Sequence, residues 1–150
     1  MNEKRKLNTT VVRNFSTYGP GQTSDYIIPT LIEQASTSDV LEIWNGEPTR
    51  DFTYVDDTVE ALILLSENYN VSGEIFNLGS GVETSIGKLA TAIASASDGI
   101  PVVDLKKDVV GNTRQCCDNS KLRSSIAWEP KISLDDGIAI TAEHIRNSLG

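Results

Sequence analysis

The chain has 150 residues, of which 39% are hydrophobic and 23% charged, with 13 Lys and Arg against 21 Asp and Glu and a formal net charge of −8. Length and composition suit one globular domain with a real core. The acidic balance argues against a nucleic-acid binder, which must neutralise phosphates with a basic surface, and no apolar run approaches the roughly 18 residues of a membrane span.

Met1 to Asn8 is basic and polar without an apolar stretch, so it is no signal peptide and reads as a disordered or adventitious lead. Residues 9–150 read as the domain. Thr9 to Arg13 is β-branched and predicts a strand. Tyr18-Gly19-Pro20-Gly21 is a loop. Ser24 or Asp25 is expected to cap a helix with Ile27, Ile28, Leu31, Ile32 and Ala35 at helical spacing. Pro29 falls near its first turn, where proline is tolerated. Leu41 to Trp44 reads as a short strand closed by the turn Asn45-Gly46.

Arg50-Asp51-Phe52-Thr53-Tyr54-Val55-Asp56-Asp57 alternates like a short strand and then enters an apolar helix with Val59, Leu62 and Ile63 on one face. Asp56 is the expected N-cap, and Asp57 falls in the first turn, where the helix dipole favours a carboxylate. Arg50 therefore flanks a strand-to-helix junction suited to an anion, unless it merely pairs with Asp51 or Asp56 on the surface. Glu74 to Leu78 predicts the next strand, and Gly79-Ser80-Gly81 a loop. Thr84 or Ser85 caps a helix facing inward with Ile86, Leu89, Ala90 and Ile93. Ile100 to Leu105 is a strand and Lys106 to Gln115 a polar loop. Asp118 caps a short helix, and Ser133 caps a last one carrying Ile138, Ala142, Ile145 and Leu149, with Gly137 weakening its start. Alternating strands and helices make the class α/β, with a largely parallel sheet. The adjacent Cys116 and Cys117 seldom bridge, which points to a reducing, cytoplasmic setting, and with His144 they form no metal-ligand cluster.

Four stretches carry a resemblance. Arg50 to Asp57 is similar to the R-D-F-x-Y-V-D-D signature of the extended short-chain dehydrogenase/reductases that act on nucleotide-diphosphate sugars: epimerases, dehydratases and decarboxylases. Val11 to Gly21 resembles that family's R-x-F-N-x-Y-G-P-G strand and loop, and Phe76 to Gly81 its N-x-G-x-G loop. Gly111 through Arg114 to Asp118-Asn119-Ser120-Lys121-Leu122, followed by Trp128-Glu129-Pro130, resembles its C-terminal pattern. The G-x-x-G-x-x-G dinucleotide loop is missing, and Gly79, Gly81 and Gly87 do not have its spacing. The catalytic Y-x-x-x-K is missing too: Gln22, Thr30, Thr58 and Gly73 stand four residues after the tyrosines.

The resemblance thus implies a C-terminal nucleotide-sugar-binding domain: part of a Rossmann-like sheet plus a small substrate-binding subdomain, without the N-terminal dinucleotide-binding half. It assigns Arg50 to the pyrophosphate and Arg114 to the nucleotide, each with a surface ion pair as the alternative. Trp44 would stand beside the base, unless it is a core tryptophan, although the loop from Trp44 to Arg50 is one residue shorter than the commonest version. Ser16 stands where many members carry an asparagine that touches the sugar phosphate, and Asn112 near a ribose contact; Val109 and Val110 replace a further arginine. Tyr18 and Pro20 would border the nicotinamide and sugar. The implied cofactor is NAD or NADP, bound mainly by the absent half, and the chain alone is expected to be inactive. Its expected partners are a nucleotide-diphosphate sugar and a Rossmann half or partner subunit, and a homo-oligomer is compatible with the pattern. The competing expectation is a non-catalytic binding subunit that docks on a separate Rossmann domain through Val11, Val12 and the small-residue helix face from Ala90 to Ala96.

Overall fold

The computed structural model of the chain describes residues 8–108 and 110–149. The expected lead up to Leu7, Val109 and the inward placement of Leu149's side chain lie outside the described residues. The elements run β1 (Val11–Asn14), β2 (Ser16–Tyr18), α1 (Ile27–Thr37), β3 (Leu41–Ile43), β4 (Thr49–Tyr54), α2 (Val55–Glu67), a single 3-10 turn (Tyr69–Val71), β5 (Ile75–Leu78), β6 (Glu83–Ser85), α3 (Ile86–Ser95), β7 (Val102–Asp104), α4 (Ser120–Ser125) and α5 (Leu134–Leu149).

Three small sheets form among the described residues. β1 pairs with β5 in parallel, with Val11 opposite Ile75; β3 pairs with β7 in parallel, with Leu41 opposite Val102. β4 is central to the third, parallel to β2 on one side and antiparallel to β6 on the other. The chain is α/β as its pattern of elements requires.

Two apolar cores lie under these sheets. The larger gathers Ile28 and Ile32 of α1, Leu41 and Ile43 of β3, Leu89 and Ile93 of α3, and Ile138 and Ala142 of α5 around Tyr18, Phe52 and Tyr54. Tyr18 meets Phe52 and Tyr54 edge to face, with centroids 6.3 and 5.7 Å apart, a geometry that the ring quadrupoles favour. The smaller core packs Ala61 and Leu65 of α2, Phe76 and Leu78 of β5, Leu122, Ile126 and Trp128.

Several local expectations shift. Tyr26, not Ser24 or Asp25, is the N-cap of α1, and no side chain caps it; Ser24 lies outside the helix and its hydroxyl donates to Glu33. α2 likewise starts at Val55 behind an N-cap at Tyr54, so Asp56 is already inside the first turn and exposed. Ser85 caps α3 by accepting from the Lys88 N–H at 3.2 Å, and Ser133 accepts from the Asp136 N–H at 3.1 Å.

Two predicted faces are corrected. Val59, Leu62 and Ile63 are 47%, 43% and 51% exposed, because α2 turns Thr58, Ala61 and Leu65 inward instead. The small residues of α3 do the reverse: Ala90 and Ala94 are buried, since they let α3 approach α1 and α5 closely, so that face is no free contact surface.

Candidate functional site

The R-D-F-x-Y-V-D-D stretch occupies β4 and the first turn of α2, and two of its acidic residues, Asp51 and Asp57, are fastenings. Asp51 is fully buried and its carboxylate accepts four hydrogen bonds: from the Ser80 N–H (2.8 Å), the Ser80 hydroxyl (2.7 Å), the Gly81 N–H (2.9 Å) and the Cys117 N–H (2.9 Å). It thereby bolts β4 to the 79–81 loop and to the 116–118 segment. Gly79 is needed for this close approach, since a Cβ there would lie 2.5 Å from the Cys117 Cβ. Asn119 completes the strap, donating to the Gly79 carbonyl at 2.8 Å. Asp57, also buried, accepts from the Lys131 and Ile132 N–H groups, each at 3.0 Å, and so ties α2 to the approach of α5.

With Asp51 committed inward, Arg50 is left facing a cleft. Among the described residues no carboxylate pairs with it, so the surface ion pair does not form. Its Nη1 donates to the carbonyl of its neighbour Thr49 at 2.7 Å. Arg50 lines two adjoining depressions. One, of about 840 Å³, is mixed: Asn14, Ser16, Thr17, Gln22 and Gln115 line it beside the apolar Tyr18, Ile27, Ile28 and Phe52. The other, of about 650 Å³, is walled by Ile27, Leu31, Ile43, Trp44 and Pro48. Trp44 is 66% exposed, which rules out a core role, and the Lys107 ammonium sits 5.2 Å from its ring centroid.

Ser16, Tyr18 and Arg50 therefore come together around the first depression, and Trp44 joins Arg50 in the second. Tyr18 contributes ring rather than hydroxyl. It is 3% exposed, its hydroxyl donates to the Leu134 carbonyl at 3.3 Å, and burial, with Tyr54 and Asp57 adding to it, pushes that hydroxyl above its ordinary pKa. Pro20 is half-buried in the following loop and lines neither depression.

Arg114 and Asn112 stand exposed on the loop after β7, outside both depressions. Arg114 is engaged with Glu83: its Nε donates to Oε1 (2.8 Å) and Oε2 (3.0 Å), and its Nη2 donates to Oε2 (2.7 Å). The bonded guanidinium and the Thr49 hydroxyl hold the Glu83 carboxyl below its ordinary pKa. The loop is pinned alongside β4, with the Thr49 N–H donating to the Thr113 carbonyl (2.9 Å) and the Gln115 N–H donating to the Thr49 carbonyl (3.2 Å). Glu83, Thr49, Gln22 and Gln115 were not singled out from sequence. The Arg114–Glu83 contact spans 31 positions and arises only from pairing β6 on β4, for which a sequence pattern offers no signal.

The described residues hold no cluster of His, Cys, Asp and Glu that could bind a metal, and no described helix is long and apolar enough to cross a membrane. Burial pushes the Cys117 thiol up to about 12, so it is packing, not a nucleophile.

The chain as a whole is similar to known proteins. The chain is 38% identical over 104 residues to a UDP-glucose 4-epimerase of Mycolicibacterium smegmatis, covering 69% of this chain and 33% of that protein. It is 31% identical over 143 residues to UDP-glucuronic acid decarboxylase 1 of Arabidopsis thaliana, covering 93% of this chain and 32% of that one. Its fold superimposes on a UDP-glucuronic acid 4-epimerase of Bacillus cereus, solved with UDP-glucuronic acid and NAD, with a TM-score of 0.83 at 29% identity, over 93% of this chain and 45% of that one. The chain spans about a third to a half of the length of these relatives. Residues 1–79, just over half of the chain, match the model of the NAD dependent epimerase/dehydratase family, and it is to this family, whose enzymes use NAD(P), that the chain belongs.

Proposed function

We propose that the chain is the substrate-holding portion of an NAD(P)-dependent sugar epimerase, dehydratase or decarboxylase, and that it binds a nucleotide-diphosphate sugar. The observation that carries this reading is the position of Arg50 between an apolar, Trp44-lined depression and one that mixes hydroxyl and amide side chains with aromatic rings. A nucleotide-diphosphate sugar has the same sequence of chemistry: a flat base, a dianionic diphosphate, a hydroxyl-rich ring. The base would lie against Trp44, the diphosphate on Arg50 with Arg114 approaching from its loop, and the sugar among Ser16, Thr17 and Gln22. Arginine suits the centre because its planar fork meets phosphate oxygens two at a time. Asn112 is assigned to the ribose side and Pro20 to the border with the cofactor.

The residues present do not form a dinucleotide site by themselves. The sequence has no G-x-x-G-x-x-G, and the Tyr18 hydroxyl is spent on Leu134. No hydride or proton transfer is therefore assigned to this chain, whose own work is to bind, orient and desolvate the sugar nucleotide. The complementary half, in the same polypeptide or a separate one, would dock where the fold is open. β1 has one strand neighbour among the described residues, and parallel sheets are normally covered on both faces. Beside it, Val12, Leu62, Leu65 and Tyr69 line a groove of about 390 Å³.

The test is calorimetric titration of UDP-glucose into the chain, Arg50→Ala, Arg50→Lys and Arg114→Ala, with the exposed Arg146→Ala as control. Charge-assisted hydrogen bonds predict about 10- to 100-fold weaker binding for either alanine variant, with lysine restoring only part at position 50. Alanine variants that bind as tightly as the Arg146→Ala control would discard the site. A non-catalytic subunit is the second reading, favoured by the missing Y-x-x-x-K. Sequencing the DNA immediately upstream separates the two, since an in-frame G-x-x-G-x-x-G and Y-x-x-x-K would rule that second reading out.

A further inference from the structure

We propose that Glu83, braced by Thr49, is a positioning residue that presents Arg114 to the diphosphate; this rests on the binding reading above. Arg114 extends from an irregular loop and its side chain is 73% exposed. A free arginine there would sample many rotamers, and ordering it on binding would cost affinity. Glu83 removes that freedom in advance. It takes the Nε and Nη2 side of the guanidinium at 2.7–3.0 Å and leaves Nη1 and the outer edge for a second anion. The carboxylate is itself braced, because the Thr49 hydroxyl donates to its Oε1 at 2.7 Å.

The brace also couples the two arginines. Thr49 receives Arg50 Nη1 on its carbonyl, at 2.7 Å, and reaches Arg114 through Glu83. Its backbone further pairs with Thr113 and Gln115 on either side of Arg114. One β4 residue thus fixes the Arg114 loop, the Arg114 head and the Arg50 head. A carboxylate beside a phosphate-binding cation would ordinarily be a liability, since it repels the anion. The arrangement is favourable only if orientation outweighs that repulsion, and this is what the experiment decides.

The measurements are calorimetric affinity for UDP-glucose and the Arg114 Nε–H signal in a proton–nitrogen correlation spectrum, for the chain, Glu83→Gln, Thr49→Val, Arg114→Ala and Glu83→Gln/Arg114→Ala. Glu83→Gln should weaken binding about tenfold and Thr49→Val about threefold, as lost charge-assisted bonds predict. The Nε–H signal, sharp in the unliganded parent, should broaden in Glu83→Gln. In the Arg114→Ala background Glu83→Gln should change affinity less than twofold, because non-additivity marks action through the shared partner. Tighter binding by Glu83→Gln would make Glu83 a competitor of the ligand and overturn the proposal. So would an equal loss in both backgrounds, which would mean a general effect on β6. Parent protein that binds no UDP-glucose, UDP-glucuronic acid or GDP-mannose while keeping a sharp Nε–H signal would remove the binding reading together with this role. Parent that binds while Glu83→Gln binds equally well would remove this role alone.

Discussion

At the scale of single residues, the signature stretch divides its labour by alternation along β4. Arg50 faces the clefts and Asp51 faces the interior, as neighbouring strand residues must. The two were adjacent candidates for one ion pair in the sequence, and strand geometry separates them. Asp51 instead joins the two halves of the fold, since its partners lie in the 79–81 loop and beside Cys117. Three of its four donors are backbone N–H groups, and the one from Cys117 is buried. Asp51→Ala should therefore destabilise the chain by about 3 kcal/mol or more, and Asp51→Asn by nearly as much, because the amide aims a donor at other donors. Urea denaturation measures this, and a loss below about 1 kcal/mol, the worth of an ordinary neutral hydrogen bond, would show that Asp51 is not the fastening described.

At the scale of elements, the alternating pattern located every helix and the strands β1, β3, β4, β5 and β7, but the short β2 and β6 left no pattern of their own, and the faces were harder to read. Strand and helix existence follows from local spacing, which the chain displays plainly in α1, α3 and α5. Which side of α2 is buried depends on what the helix meets, and the smaller core accepts Ala61 and Leu65 where the larger residues looked the better candidates. The site divided in the same way. Arg50 and Trp44 could be found because a motif and a strand end mark them, whereas Glu83 acts across 31 positions and carried no mark. Gly137 was read as a weakness of α5, and by helix propensity alone Gly137→Ala should gain about 1 kcal/mol. The packing reverses that sign. A Cβ at Gly137 would stand 2.1 Å from the Tyr18 hydroxyl oxygen and 3.0 Å from the Tyr54 ring. Both rings sit in the aromatic cluster of the larger core and have little room to retreat. Gly137→Ala should thus destabilise by about 1–3 kcal/mol, the usual cost of overpacking. Thermal melts of the variant and of Gly137→Ala/Tyr18→Phe decide it: removing the hydroxyl should recover part of the loss, and a higher melting temperature for Gly137→Ala alone would refute the packing account.

At the scale of the whole molecule, the two cores differ in how well they are closed. The larger is enclosed by α1, α3 and α5. The smaller lies under a parallel ribbon that has two strands among the described residues, and two strands rarely stand alone in water. Around it the surface is apolar: Val11 and Ile75, paired across the ribbon, are 53% and 44% exposed, and Val59, Leu62 and Ile63 line the outer side of α2. The exposed face and the open β1 edge invite strand addition or helix packing from another chain. The chain on its own should consequently self-associate, and the association should run through α2 and β1 rather than through the arginine clefts. Light scattering coupled to size exclusion at several concentrations should give an apparent mass that rises with concentration. Val59→Lys/Ile63→Lys should return it to monomer without lowering the melting temperature, because both positions are about half exposed and support no core contact. Arg50→Ala should leave the association unchanged. A monomer at every concentration with a sharp, high melting transition would mean that the ribbon is closed as it stands and has no need of a complementary half. Association that survives the double lysine change would move the interface elsewhere on the molecule.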